Sequence, residues 1–243
     1  MRIPRIFTAQ SLAIGSSIQL EEGAARHLTS ALRMKAGQDI ILFDGLGGEY
    51  SAQLSDVKKG KAAVTVGAFS DISRESPLSI QLAIGISRGE RMDWIVQKAT
   101  ELGVTDIIPL FSERCEVKLS GDRLEKKTRH WQQVAISSCE QCQRNTVPTV
   151  RGALSAEQYL AESIDGLKLV LHHRTEKRLA EMTLPNNNVA LLVGPEGGLS
   201  DREIDIALHS GFSPLAVGPR VLRTETAPLA AISIIQSLWG DMD

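Results

Sequence analysis

Apolar residues in the first 72 positions recur at every second position within short runs that polar turns separate. This alternation is typical of strands with one buried face. The predicted strands lie around Ile6 and over residues 39–44, 49–57 and 62–66. One helix is predicted over residues 21–34, where alanines and leucines recur at spacings of three and four. Short strands with one helix predict a small β-barrel domain over residues 1–72.

From residue 78 onward, apolar strands alternate with amphipathic helices. The predicted strands cover residues 78–86, 106–110, 149–150, 167–171, 191–193 and 215–217, and the main helices cover residues 91–102, 124–142, 156–162 and 227–239. Such alternation predicts an α/β domain, with a mostly parallel sheet and helices on both faces. A polar segment that ends at Pro77 separates the two patterns. We therefore expect a second domain over residues 73–243.

Two glycine-containing turns follow predicted strands near the C-terminus. GPEGG at 194–198 follows the strand at 191–193 and precedes a helix that Ser200 or Asp201 caps. VGPRVLRTETA at 217–227 follows the next strand and leads into another helix. Because ligands bind where strands of an open α/β sheet end, the two turns predict a ligand crevice.

The turn at 194–198 is unlike the known phosphate-binding loops. Its glycines expose backbone N–H groups at a helix N-terminus, as phosphate sites do. It matches neither G-x-x-x-x-G-K-[ST] nor G-x-G-x-x-G, and Glu196 would repel a phosphate. A neutral or cationic ligand therefore fits better. In the second turn, Arg223 and Glu225 are candidate site residues, with a surface ion pair as the alternative interpretation.

Composition indicates a globular protein of 243 residues with 42% hydrophobic and 23% charged residues. No apolar run approaches the length of a membrane span, and MRIPRIFTAQ lacks the apolar core of a signal peptide. We therefore expect a cytoplasmic protein without a membrane partner. The net charge of −2 means that RNA binding would depend on a local basic patch.

The cysteines and histidines do not predict a metal site. Cys115, Cys139 and Cys142 are too few, and odd in number, for a disulfide framework. The C-E-Q-C pair lacks a second ligand pair and ends a helical stretch, so small helix residues are the better interpretation. Adjacent His172 and His173 on an extended chain point to opposite faces and cannot easily share one ion.

Basic residues form three groups along the chain. They are Arg2 and Arg5; Arg26, Arg33 and Lys35; and Arg114, Lys118, Arg123, Lys126, Lys127 and Arg129. Each group is also compatible with an ordinary solvated face. The first two lie on a small β-barrel of the kind that carries RNA, whereas acidic residues intersperse the third.

Taken together, the two turns resemble the signature of the RsmE family of SPOUT-class RNA methyltransferases. Other matching stretches are RIF at 5–7, HLTSALRMKAGQDIILFDG at 27–45, MDWIVQKATELGV at 92–104 and CEQCQRNTVP at 139–148. The resemblance covers nearly the whole chain. One departure is Val217-Gly218-Pro219, where the family usually has leucine-glycine; we expect Pro219 to stiffen that turn.

The resemblance implies methylation of N3 of a uridine in 16S ribosomal RNA, with S-adenosylmethionine as methyl donor and no metal. It implies a PUA-like RNA-binding domain followed by a SPOUT domain whose last third forms a trefoil knot. A homodimer that acts on 16S rRNA or the small ribosomal subunit is also implied. The cofactor contacts it implies are Leu171, His172, Gly194, Glu196, Gly197, Val217, Gly218, Leu222, Arg223, Thr224 and Ala227.

Methyl transfer from a sulfonium mainly requires that the protein position two reactants and exclude water. Because uracil N3 must lose a proton, we expect Glu196 or Glu225 as general base and Arg223 as stabiliser of the developing oxyanion. The predicted RNA contacts are Arg5, Arg26, Arg33, Lys35, Arg114 and Lys118. Two alternatives are a nucleotide-binding α/β enzyme that holds phosphate at 194–198 and a non-catalytic RNA-binding dimer; the RTETA stretch argues against the second.

Overall fold

The computed structural model describes residues 3–172, 175 and 179–242, so Arg2 and His173 lie outside the described residues. The chain forms two compact units. The first comprises Met1–Glu75 together with Cys139–Val147, and the second comprises Ser76–Ser138 and Pro148–Asp243. The two-domain division at residue 72 stays a prediction, and the sequence patterns did not indicate that 139–147 would group with the first unit.

The first unit is built on a five-stranded sheet. Its elements are β1 (Arg5–Phe7), β2 (Ser17–Gln19), α1 (Glu22–Arg26), β3 (Asp39–Phe43), β4 (Glu49–Lys58) and β5 (Lys61–Ser70). The strand order is β1-β3-β4-β5-β2, with β1 and β3 parallel and the other neighbours antiparallel. Helix α1 continues into a π-helical turn over His27–Ala31 and ends before residue 34, because Arg33 adopts a φ of 53° that a helix excludes.

The core of this unit follows the predicted alternation. Leu54 on β4 faces Val64 on β5 in register, and both side chains are fully buried. Leu28 from the helical segment packs into the same cluster. Along β4 and β5, polar residues that alternate with the buried positions are exposed, so one face of the sheet carries the core.

Arg5 is buried in the first unit and does not lie at its surface. Its guanidinium donates hydrogen bonds to Glu49 and Asn145 and lies 5.2 Å from the centre of the Phe43 ring. Partial burial alone would raise the pKa of Glu49, but the hydrogen bond and charge of Arg5, with smaller effects of Asn145 and Arg74, lower it. Arg5 is therefore left out of the RNA contacts proposed below.

The second unit alternates strands and helices as predicted. Its elements are β6 (Ser79–Gly85), α2 (Arg91–Glu101), β7 (Asp106–Phe111), α3 (Gly121–Cys142, of which residues 121–138 belong to this unit), β8 (Thr149–Val150), β9 (Leu154–Ser155), α4 (Ala156–Leu160), β10 (Leu167–Leu171), a 3₁₀ turn (Leu179–Glu181), β11 (Asn188–Val193), α5 (Asp201–His209), β12 (Ser213–Leu215) and α6 (Ala227–Trp239). The strand order is β12-β10-β11-β6-β7-β8, with β9 also on β7. Every ladder is parallel, which confirms the predicted α/β class. The knot stays a prediction.

Alternate residues of the central strands enter two separate cores. Leu191 on β11 joins the cluster formed with α2, α3 and α6, whereas Leu192 joins the cluster formed with α4 and α5. Both faces of the sheet are therefore covered, and β11 is buried from Val189 to Val193. Within the described residues, none of the helices combines the length and apolar character needed to cross a bilayer.

Strand β12 lies at one edge of the sheet and ends two residues before the predicted end. The backbone N–H of His172 donates to the carbonyl of Leu215 at 2.9 Å, so Leu215 faces β10. Pro214, one residue earlier, turns its backbone outward, where an edge strand tolerates proline. Because the strand stops at Leu215, Ala216 and Val217 leave the sheet and become part of the following loop.

We expect Glu49→Gln to destabilise the protein at neutral pH. A lowered folded pKa favours the folded state above the ordinary value of 4.5, and this contribution is lost as the pH falls through the folded value. Breaking a buried pair costs about 3–5 kcal/mol, so the variant should unfold at lower urea and lose less stability on acidification. Glu22→Gln, which removes an exposed pair with Arg26, is the control. Equal acid sensitivity of wild type and Glu49→Gln would contradict the assignment.

Candidate active site

The first wall of the site is the glycine turn that follows β11. The backbone N–H of Gly198 donates to the carbonyl of Pro195 at 2.8 Å, which closes the turn. A Cβ atom on Gly194 would lie 2.6 Å from the backbone nitrogen of Leu199, so a side chain does not fit there. Helix α5 begins immediately afterwards, with Ser200 as its N-cap and Glu203 completing a capping box as predicted.

The loop after β7 supports this turn from outside. Buried Glu203 accepts hydrogen bonds from the backbone N–H groups of Ser200 at 2.8 Å and Glu113 at 3.0 Å. Arg114 donates to the carbonyls of Gly197 at 3.3 Å and Leu199 at 3.1 Å. The exposed Arg114 guanidinium, predicted to contact RNA, therefore also fixes the glycine turn.

The second wall is the loop between β12 and α6. Gly218 adopts a φ of 73°, which favours glycine and reverses the chain soon after the strand. The backbone N–H groups of Thr226 and Ala227 both donate to the carbonyl of Arg223 at 2.9 Å and so begin α6. Pro228 lies in the first turn of this helix, where a missing N–H costs no hydrogen bond.

A cavity of about 210 Å³ separates the two walls. Predicted cofactor contacts from three segments line it: Leu171, His172, Gly194, Glu196, Val217, Gly218, Leu222, Thr224 and Ala227. The other two contribute to adjoining cavities, Gly197 to one of about 330 Å³ at the start of α5 and Arg223 to one of about 380 Å³. The structure thus brings these residues together, and their binding role stays a prediction.

The cavity of about 380 Å³ contains all three predicted catalytic residues. Arg223, Glu196 and Glu225 line it together with Arg91, Leu222 and Thr224. It shares Glu196, Leu222 and Thr224 with the smaller cavity, so the two are neighbours. The Arg223 side chain is exposed and forms no salt bridge within the described part of the chain. Its guanidinium can therefore approach a ligand without breaking an ion pair.

Arg91 connects the two walls and was not predicted as a site residue. Its Nη1 lies 2.7 Å from Oε1 of Glu196, and its Nε lies 4.0 Å from Oε2 of Glu225. The sequence pattern assigned Arg91 only to the start of α2. A usable signal was present, because Arg91 follows β6, which lies beside β11 and ends at the same edge of the sheet.

The surroundings of Glu196 make it a weak proton acceptor. Partial burial alone would raise its pKa, but hydrogen bonds from the backbone N–H of Arg88, its own N–H and the Arg91 side chain lower it. A carboxylate held in this way stays ionised at neutral pH and accepts a proton poorly. Glu225, with one ion-pair contact at 4.0 Å, is the better placed of the two candidate bases.

The remaining predicted residues lie away from this cavity or outside any site. Arg26, Arg33 and Lys35 are exposed around the helical segment of the first unit, and Lys118 is exposed in the second. Burial raises the pKa of the Cys139 thiol to about 12, so this group stays protonated. Among the described residues, no cluster of His, Cys, Asp or Glu has the arrangement of a metal site.

The fold and this site are those of an RNA-modifying enzyme class. Residues 74–236 match the RNA methyltransferase domain, and residues 20–67 match the RNA methyltransferase PUA domain. The chain therefore belongs to the RNA methyltransferase family with a PUA-type N-terminal domain, which confirms the family, the enzyme class and the PUA-like domain that the sequence predicted.

Named relatives are similar over the full length. The chain is 34% identical to Ribosomal RNA small subunit methyltransferase E of Buchnera aphidicola subsp. Schizaphis graminum, covering 99% of this chain and 98% of that protein. Lpg2936 of Legionella pneumophila, solved with the bound cofactor SAM, is 41% identical with a TM-score of 0.96 over 99% and 100% of the two chains. Ribosomal RNA small subunit methyltransferase E of Neisseria gonorrhoeae, bound to S-adenosyl methionine, is 39% identical with a TM-score of 0.95 over 100% of both chains.

We expect Gly194→Ala to disrupt the glycine turn. The added Cβ would meet the backbone of Leu199 and Gly198 at 2.6 and 2.7 Å, and a backbone cannot move aside as a flexible side chain does. The free energy of unfolding should fall by about 1–3 kcal/mol, as for other overpacked sites. Gly152→Ala is the control, because its Cβ would enter open space. Equal urea midpoints for the two variants would show that the turn has more room than described.

Proposed function

We propose that this chain transfers a methyl group from S-adenosylmethionine to N3 of a specific uridine in 16S ribosomal RNA. The observation that carries the proposal is the cavity between the two glycine turns, which is lined by predicted cofactor contacts from three separate segments. Two neighbours with TM-scores of 0.96 and 0.95 hold S-adenosylmethionine. The relatives from Buchnera aphidicola and Neisseria gonorrhoeae are small-subunit ribosomal RNA methyltransferases by name, which supports the same substrate class here.

The residues around the cavity fit this cofactor. Glycine backbone and apolar side chains such as Leu199, Val217 and Leu222 form most of the lining, with Glu196 as the carboxylate. Apolar walls suit the adenosine body, and a carboxylate suits a cation rather than a phosphate. When bound, S-adenosylmethionine supplies an electrophilic methyl group on a positively charged sulfur.

The catalytic roles follow from the cavity that contains Arg223 and Glu225. Glu225 accepts the proton of uracil N3, because its carboxylate lies 4.0 Å from Arg91, whereas the carboxylate of Glu196 lies 2.7 Å from the same arginine. Arg223 stabilises the negative charge that develops on the uracil oxygens, since its guanidinium has no ion-pair partner among the described residues. Glu196 remains ionised and contributes a fixed negative charge to the cofactor wall.

The RNA is held by exposed basic residues of both units. Arg26, Arg33 and Lys35 serve this role in the first unit, and Arg114 and Lys118 in the second, because their side chains reach solvent. The match of residues 20–67 to the PUA domain of RNA methyltransferases supports an RNA-binding role for the first unit. We further propose a knotted catalytic domain over residues 73–243 and a homodimer that acts in the cytoplasm, where its RNA substrate lies.

Removal of either proposed catalytic side chain should reduce methylation without changing the fold. We expect Arg223→Ala and Glu225→Gln each to reduce methylation of small-subunit RNA by about 100-fold or more. Circular dichroism should be unchanged, because both side chains are at least partly exposed. Arg129→Ala removes an arginine from an exposed pair with Glu125 and should keep full activity. Full activity of Glu225→Gln would return the base role to another group.

The substrate assignment has a test in cells. Mass spectrometry of 16S ribosomal RNA should show 3-methyluridine in wild-type cells and none in cells that lack this protein. Calorimetry should show binding of S-adenosylmethionine or S-adenosylhomocysteine but not of ATP or NAD, which a nucleotide-binding enzyme would prefer. Persistence of 3-methyluridine in the deletion strain would refute the proposed reaction.

The RNA contacts should be visible in the salt dependence of binding. Each phosphate contact contributes roughly one unit to the slope of log affinity against log salt concentration. We therefore expect Arg33→Ala and Lys35→Ala each to weaken RNA binding and reduce this slope by roughly one unit. Arg129→Ala is again the control, and an unchanged slope for Arg33→Ala would exclude that residue from the phosphate contacts.

A further inference from the structure

Three of the four charged side chains that line one cavity of the second unit form ion pairs with one another. Glu196 comes from the glycine turn, Glu225 from the loop before α6, and Arg91 from the start of α2. Arg91 approaches both carboxylates, at 2.7 Å and 4.0 Å. With Arg223, which also lines this cavity, the four side chains have a formal charge of 0, whereas without Arg91 the charge would be −1.

We propose that Arg91 balances the charge of the methyl-donor site and thereby sets how strongly the protein prefers S-adenosylmethionine over the demethylated product S-adenosylhomocysteine. This inference rests on the function proposed above and concerns a residue that touches neither reactant in the assignment made there. Arg91 acts through Glu196 and Glu225, so it is a positioning residue with an electrostatic effect.

The reaction changes the charge of the cofactor, so the charge of the surrounding side chains affects the donor and the product differently. The bond between N3 and the methyl carbon forms while the bond between that carbon and sulfur breaks. The electron pair of the broken bond returns to sulfur, which changes from a sulfonium cation to a neutral thioether, and the N3 proton goes to the carboxylate base. Negative charge in the pocket therefore attracts the donor but has little effect on the product.

An excess of negative charge would favour the bound donor over the transition state. The positive charge on sulfur decreases as the methyl group leaves, so a carboxylate stabilises the reactant more than the transition state. Arg91 limits this attraction because its positive charge lies beside both carboxylates. It also keeps Glu196 ionised, because its hydrogen bond contributes to the lowered pKa of that carboxyl.

The expected effect is moderate, because solvent screens the three groups. The exposed fractions of the side chains are 42% for Arg91, 31% for Glu196 and 24% for Glu225. Ion pairs that are this exposed change affinities by about threefold to fivefold per charge. The effect should also shrink as salt is added, since salt screens exposed charges.

The test is calorimetry of the full-length protein with S-adenosylmethionine and S-adenosylhomocysteine, expressed as the ratio of the two affinities. Arg91→Met should shift this ratio toward S-adenosylmethionine by about threefold to fivefold. Glu196→Gln should shift it the opposite way, and the double variant should return to the wild-type ratio, because it loses one positive and one negative charge and the net charge of the cavity is again 0. Arg91→Lys, which keeps the positive charge, should keep the ratio.

Arg151→Met is the matched control, because Arg151 forms an ion pair with Glu162 at 2.6 Å and both side chains are 33% exposed. It should leave the ratio unchanged. A purely structural role of Arg91 predicts that both ligands lose affinity equally, so an unchanged ratio in Arg91→Met overturns the inference. If Arg91→Met does not fold, Glu196→Gln tests the inference alone. An unchanged ratio of the two affinities in that variant would also overturn it. Wild-type protein that binds neither ligand would refute the proposed function instead.

Discussion

The second unit depends on two backbones that approach each other with no side chain between them. At the end of β6, a Cβ on Gly85 would lie 2.4 Å from the backbone nitrogen of Pro195, inside the glycine turn that follows β11. The end of β6 therefore packs directly against the turn that follows its neighbour β11. The Arg88 N–H and the Arg91 side chain then reach Glu196, and the turn becomes a fixed wall instead of a free loop.

The chemistry of the site is a consequence of this arrangement. A glycine turn at the start of a helix would ordinarily favour an anion, since the helix N-terminus carries partial positive charge. Glu196 reverses the preference, and its ionisation is maintained by donors from the β6–α2 segment. The same segment brings Arg91 toward Glu225 on the other wall. One arginine thus pairs with a carboxylate from each wall, at 2.7 Å and 4.0 Å.

The sequence predicted the parts of the fold that periodicity encodes. The alternation in β4 and β5 and the amphipathic pattern of α2 correspond to buried faces in the structure. Strands β2 (Ser17–Gln19) and β9 (Leu154–Ser155) were missed, because each is short and contains a single apolar residue. Arg5 was predicted as an RNA contact, and its buried pair with Glu49 was not foreseen, because the two residues are 44 positions apart and only the folded chain reveals the pair. Arg91 was missed for the same reason, with Glu196 at a separation of 105 residues. The two turns alone predicted a ligand crevice, whereas the predicted cofactor contacts depended on the resemblance of two distant motifs to one family.

The edge strand β12 has a consequence for how the chain avoids wrong partners. Leu215 bonds inward to β10, so the outward position of this three-residue strand is Pro214, which has no N–H to offer. A strand from another molecule that paired with β12 would lack a backbone hydrogen bond from Pro214, in the middle of the ladder. A second chain therefore cannot readily extend the sheet at this edge while the protein folds. The loop that begins at Ala216 can therefore line the cavity without a strand of another molecule beside it.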